Sequence, residues 1–284
     1  MLKANLLAAL LITVSAFAAD PWQSVDTILG QTGKAVAGDV HRYGWPRRDL
    51  DVHIGKIRIE PALALGSWAA FKSDMVMGDL VLRPSEVEPV VRALQAGGFE
   101  ISAIHNHLMG ESPMVAYIHY QGHGEPPALA RTLHDALAST ATPMTAAKPA
   151  AATKEDEAAF GVVEEVLQRK GTRAGRVLQF GIPRAETITD GGMTIPPTMG
   201  VATAVNFQRD GSEVASTGDF VLIADEVNPV MRELESHGIR VTALHSHMLR
   251  ESPRLFFMHF WGAGAPRAIA EGIRAAVSRV NVAK

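Results

Sequence analysis

The chain has 284 residues, with 27 Lys+Arg against 30 Asp+Glu, 11 His and no Cys. A formal charge of −3 offers no field for a nucleic-acid backbone, so no nucleic-acid partner is expected. The lack of cysteine excludes disulfide scaffolds, thiolate metal sites and thiol nucleophiles together, so any transition metal must rest on imidazole and carboxylate.

Residues 1–18 predict a secretory signal peptide. Lys3 gives the positive start, Leu6 to Val14 the apolar stretch, and Ala16-Phe17-Ala18 the small-residue cleavage site. The apolar run is about a dozen residues, against the roughly twenty that a spanning helix needs. A periplasmic or secreted bacterial protein is expected, without stable membrane insertion once the signal is removed.

The predicted elements then run in order. A helix at 25–31 is followed by short strands near 36–43, 51–60, 67–72 and 79–82. Val87, Val90, Val91 and Leu94 recur at i, i+3, i+4 and i+7, which predicts a helix opened by Pro84-Ser85 and closed by Gly97-Gly98. Strands at 99–108 and 114–120 follow, joined by a loop with Gly110 and Pro113. A last helix buries Leu129, Leu133 and Leu137.

This pattern is written twice. Residues 78–128 align with 218–268 at a constant shift of 140, and ten of the 24 positions from His105 to Ala128 are identical. Upstream, Gly55 to Pro61 faces Gly191 to Pro197, and the second copy carries about four extra residues near 209–216. The small-residue, Pro-containing stretch 140–153 reads as a linker. The expected fold class is α+β, with two pseudo-symmetric tandem modules, 19–139 and 154–284. Each is expected to be a mainly antiparallel sheet with helices packed on it.

The chemistry concentrates in the repeated hairpin. Copy one reads His105-Asn-His107-x3-Glu111-x7-His119, and copy two reads His245-Ser-His247-x3-Glu251-x7-His259. The other five histidines (His41, His53, His123, His134 and His237) have no histidine at the matching position. Residues two apart on a strand share a face, so His105 and His107 project together. An even register brings His119 beside them, and a one-residue slip would remove it. Glu111 and Glu251 lie in the connecting loops, placed to fold back as a fourth ligand or a base. Three imidazoles and a carboxylate are a first shell for a divalent metal, Zn²⁺ above all, so two metal sites are expected, one per module. The same residues also fit a site for a saccharide or small anion, or a polar seam between the modules. Arg250, which replaces Gly110, is expected to set a cation beside the second site. Arg47 and Arg184, each after a Gly-x-Pro turn, are weaker candidates for binding an anion. Asp49 and Asp51 are weaker candidates for a hard cation. No catalytic residue is assigned, and the partner expected is a small molecule or metal ion.

The H-x-H-x3-E spacing is shared with the first cupin motif. The glycine expected after the Glu and the second motif are both missing, so that match is one of spacing. Pro46-Arg-Arg-Asp-Leu50, Leu65-Gly-Ser-Trp-Ala-Ala-Phe71, Gly78-Asp-Leu-Val-Leu82 and the His105 hairpin together resemble the LppY/LpqO family. The resemblance spans essentially the whole mature chain. It implies an exported protein with a doubled module and supplies no reaction; the lipidated Cys of the mycobacterial members is missing here.

Overall fold

The computed structural model describes residues 21–145 and 149–283, so the signal-peptide reading and part of the linker lie outside the described residues. The first module runs α1 (Pro21–Leu29), β1 (Lys34–Val36), β2 (Val40–Pro46), β3 (His53–Ile54), β4 (Ile57–Arg58), α2 (Pro61–Ala64), β5 (Gly66–Lys72), β6 (Met75–Leu82), α3 (Pro84–Ala96), β7 (Glu100–His105), β8 (Glu111–Ser112), β9 (Ala116–His123) and α4 (Pro126–Ala138). The second runs α5 (Lys154–Leu167), β10 (Thr172–Ala174), β11 (Val177–Pro183), β12 (Ile188–Asp190), β13 (Met193–Ile195), a 3₁₀ turn (Pro197–Met199), β14 (Ala202–Asp210), β15 (Glu213–Leu222), α6 (Ala224–Ser236), β16 (Arg240–His245), β17 (Phe256–Gly264) and α7 (Pro266–Val277).

Each module is an α+β unit built on a six-stranded antiparallel sheet, ordered β1-β2-β5-β6-β9-β7 in the first and β10-β11-β14-β15-β17-β16 in the second. The extra residues of the second copy lengthen one hairpin. Strands β14 and β15 are nine and ten residues long, against seven and eight for β5 and β6. Two residues added to each strand keep the alternation of faces, so the strands beyond it are undisturbed.

Helices cover one face of each sheet. Val76, Leu80, Leu82, Ile118 and Tyr120 pack against Val90, Leu94, Leu129 and Leu133; Phe220, Leu222, Met258 and Phe260 pack against Val230, Leu234, Ile269 and Ile273. The opposite faces turn toward each other. Val40, Ala70, Met75 and Met77 share a core with Met199, Val221 and Phe257, while Val81 and Tyr117 share one with Val177, Ala215 and Trp261. This is why all eight residues of β6 are buried: a strand covered on both sides reads as an apolar run rather than an alternation.

The modules also clasp reciprocally. The segment around α2 lies on the second sheet, where Asn206 Nδ2 donates to Leu63 O at 2.9 Å and Gln208 Nε2 to Arg58 O at 2.7 Å. The 3₁₀ turn lies on the first, where Arg42 donates to Thr198 O at 2.8 Å. Edge strands β7 and β16 approach antiparallel. Ser102 Oγ donates to His247 O at 2.6 Å and Thr242 Oγ1 to His107 O at 2.7 Å.

Two glycines mark where the backbones are closest. A Cβ on Gly78 would lie 2.2 Å from Trp68 O, and one on Gly218 would lie 2.0 Å from Ala204 O. Both contacts are with backbone, which cannot rotate away. Gly218→Ala is expected to destabilise the chain by about 1–3 kcal/mol through overpacking. Urea unfolding checks this, and a loss under about 0.5 kcal/mol would show that the strands can separate freely.

Candidate metal centre

The centre grows out of strand register. In the first module Ala103 faces His119 and His105 faces Tyr117. His105 and His119 are therefore diagonal neighbours on the inner face, with ring centroids 4.9 Å apart. Strand β6 adds Asp79 directly opposite His119. His107, just past the end of β7, folds back over Tyr117 with rings 3.5 Å apart, bringing its Nε2 to 3.3 Å from Asp79 Oδ2. The second module repeats this: Asp219 faces His259, His245 faces Phe257, and His247 stacks on Phe257 at 3.5 Å. His247 Nε2 lies 2.9 Å from Asp219 Oδ2.

The two constellations meet. His105 stacks on His245 at 3.9 Å, His107 on His259 at 3.8 Å, and His119 lies against His247 at 3.7 Å. His105 Nε2 faces His259 Nε2 at 3.4 Å. Potential ligand atoms within 4.8 Å of one another form three groups: His105, His119, His245 and His259; Asp79, His107 and His119; and Asp219, His245 and His247. The expected pair of separate sites is thus a single composite centre between the modules.

Burial sets its electrostatics. His119, His247 and His259 are 2–4% exposed, and Asp79 is 3% exposed. Burial, reinforced by the neighbouring rings, holds His107, His119 and His245 well below the usual imidazole range and His105 down to about 3. Burial brings His247 to about 3 against an opposing backbone hydrogen bond at Gly200, and it outweighs the nearby Asp219 carboxyl to bring His259 to about 4. All six are neutral at pH 7, the form that ligates metal. Burial pushes Asp79 well above the carboxylate range, helped by Asp219, and pushes Asp219 up to about 6. His259 Nδ1 sits 2.8 Å from Gly218 O; as the ring's donor it makes Nε2 the acceptor, facing His105 Nε2.

Polar atoms here have no hydrogen-bond partner among the described residues: Asp79 Oδ1, Asp219 Oδ1 and the Nε2 atoms of His107, His119, His245 and His247. The backbones of Phe257 and Gly200 face the rings of His245 and His247. The short His107–Asp79 and His247–Asp219 separations are therefore not aligned hydrogen bonds. Two ligands of a tetrahedral Zn²⁺ with bonds of about 2.0–2.1 Å stand about 3.3 Å apart, close to these separations.

Glu111 and Glu251 are placed elsewhere. Glu111 Oε1 accepts from Asn106 Nδ2 at 2.6 Å, and Glu251 Oε1 accepts from Leu255 N at 2.9 Å, so both brace the loop that carries the second His of each pair. The carboxylates facing the imidazoles are instead Asp79 and Asp219. Their sequence signal was an acid inside an apolar strand, present in both copies of the Gly-Asp-x-Val-Leu block. Arg250 does not stand by the histidines of its own copy. It pairs with Glu100 of the first module at 2.6 and 2.7 Å, and together with Gln121 it holds that carboxyl down to about 2.

The other candidates fall away. Arg47 is fully buried, bonded to Asp49, to Glu86 and to Val81 O; Arg184 makes the same contacts with Glu226 and Val221 O. Both guanidinium charges are matched by carboxylates of the chain, and Asp49 is occupied by Arg47. Asp51 pairs with Arg58 and His53 on the surface. His41 stacks on Trp22, His123 is exposed, and His134 and His237 bond locally, all outside the centre.

The family described as Domain of Unknown Function (DUF1259) matches residues 23–139 and again 161–279. No curated protein matches the chain. A solved trimeric bacterial microcompartment shell protein, PduB, aligns over 87% of this chain and 89% of its own, at 11% identity and a TM-score of 0.21, too distant to bear on fold or function.

Proposed function

The chain belongs to the DUF1259 family as a tandem pair of its domains, and we propose that it binds divalent transition-metal ions, Zn²⁺ foremost, in the composite centre between them. One observation carries this reading: six imidazoles and two carboxyls, drawn equally from both modules, converge with buried ligand atoms that the protein itself leaves unpaired. Unpaired buried polar atoms are costly, and a cation satisfies them together. Two carboxyl groups among neutral rings favour a cation over an anion. A set of nitrogen and oxygen donors without sulfur, dominated by imidazole, suits Zn²⁺, Cu²⁺ or Ni²⁺ better than Mg²⁺ or Ca²⁺.

We place this activity outside the cytoplasm, on the strength of the signal-peptide pattern in residues 1–18 and the resemblance to the LppY/LpqO proteins. Among the described residues no helix is long and apolar enough to cross a membrane.

Elemental analysis of the mature chain, purified without an affinity tag or chelator, tests the reading. Bound transition metal is expected, with affinity reduced at least tenfold in a His105→Ala/His245→Ala variant that keeps its circular dichroism. A chain that stays metal-free after incubation with Zn²⁺, Cu²⁺ and Ni²⁺ would make the histidines a structural seam instead.

A further inference from the structure

We infer that the centre holds two ions rather than one, each anchored by the aspartate of its own module; the inference rests on the metal reading above. The eight donors do not surround a single point. Asp79 and His107 form one end, with Nε2 and Oδ2 3.3 Å apart, and Asp219 and His247 form the other, at 2.9 Å. His105, His119, His245 and His259 form a middle group that shares His119 with the first end and His245 with the second.

One ion on the pseudo-twofold axis would be held by those four middle imidazoles. It would leave both end pairs as they are, with the Nε2 of His107 and His247 and an oxygen of each aspartate buried and unpartnered. Native proteins leave few such atoms, and a symmetric pair of them calls for a ligand at each end. Two ions satisfy both ends. Asp79, His107 and His119 are within reach of one, and Asp219, His245 and His247 of the other.

The two triads are not images of one another. The first uses the histidine of its return strand, His119; the second uses His245, from the first strand of its hairpin. The remaining two, His105 and His259, come from different modules and face each other across 3.4 Å. They are free to complete either shell. Each triad by itself supplies three protein ligands, the number that leaves a coordination position open to a further ligand.

The test counts ions and asks whether they sense each other. The full mature chain is stripped with a chelator, titrated with Cu²⁺, desalted, and measured by elemental analysis and electron paramagnetic resonance. Two Cu²⁺ per chain are expected, with the single-spin signal attenuated by coupling between neighbouring ions. Asp79→Asn and Asp219→Asn, which preserve side-chain shape, should each halve the stoichiometry and restore an uncoupled one-spin signal. One ion per chain with a full one-spin signal in the wild-type protein would overturn the two-ion inference and leave the metal reading standing. No bound ion at all would overturn both. The wild-type count decides the matter even if a variant does not fold.

Discussion

Acidifying the metal-free chain from pH 7.5 to 5.5 is expected to lower its melting temperature by at least about 10 °C, a far steeper fall than for an ordinary domain of this size. The sign follows from the imidazoles. All six have folded-state values below the usual 6.5, so below that pH the unfolded chain binds more protons than the folded one. Each imidazole then removes up to about 1.4 kcal/mol of stability per pH unit, down to its own folded value, about 4 for His259 and about 3 for His105 and His247.

Asp79 and Asp219 act in the opposite sense. Their values are raised in the folded state, so the stability they contribute is present at low pH and is lost as pH rises through the folded value, about 6 for Asp219. Two carboxyls oppose six imidazoles, and the net effect of acid is destabilising. Since a native domain has about 5–15 kcal/mol in all, the modules should separate or unfold within a unit or two below pH 6.5. Metal should delay this, because a ligated nitrogen must lose its ion before it takes up a proton. Calorimetry of chelated and reloaded protein across this range checks both statements. A flat melting temperature in the chelated form would show that the rings are not held neutral by burial.

The second large effect lies away from the histidine centre. Arg47→Ala is expected to cost about 3–5 kcal/mol, because it leaves Glu86 buried without the cation that faces it. Glu86 also accepts from Arg83 N at 2.8 Å and Ala141 N at 2.9 Å, so this carboxylate joins the start of α3 to the segment that leaves α4. Arg184→Ala should cost a similar amount, since Glu226 accepts from Ile223 N and Asn281 N in the second module. Urea unfolding gives both numbers. A loss below about 1 kcal/mol in either variant would mean that water replaces the guanidinium. Recurrence of these two residues in both copies is thus explained by folding, without any ligand.

The duplication, the α+β class and the helix at 84–96 were legible in the sequence because they rest on local signals: a repeated spacing, a 3.6-residue apolar period, a Pro-Ser start and a Gly-Gly stop. The grouping of His105, His107 and His119 was legible for the same reason, since side-chain direction along a strand follows from its period of two. Glu111 misled because spacing cannot show whether a loop carboxylate turns inward or bonds its own loop, as it does with Asn106.

Asp79 and Asp219 came beside the histidines only when β6 was placed beside β9 and β15 beside β17, pairings set by contacts some forty residues apart in the chain. The step from two sites to one was decided entirely by tertiary structure. Each sheet has helices for only one of its faces, so the inner faces are buried against each other, and the polar patch of each can only meet the other. The sequence by itself determined two copies of a three-histidine motif. Packing of the two inner faces made them one centre.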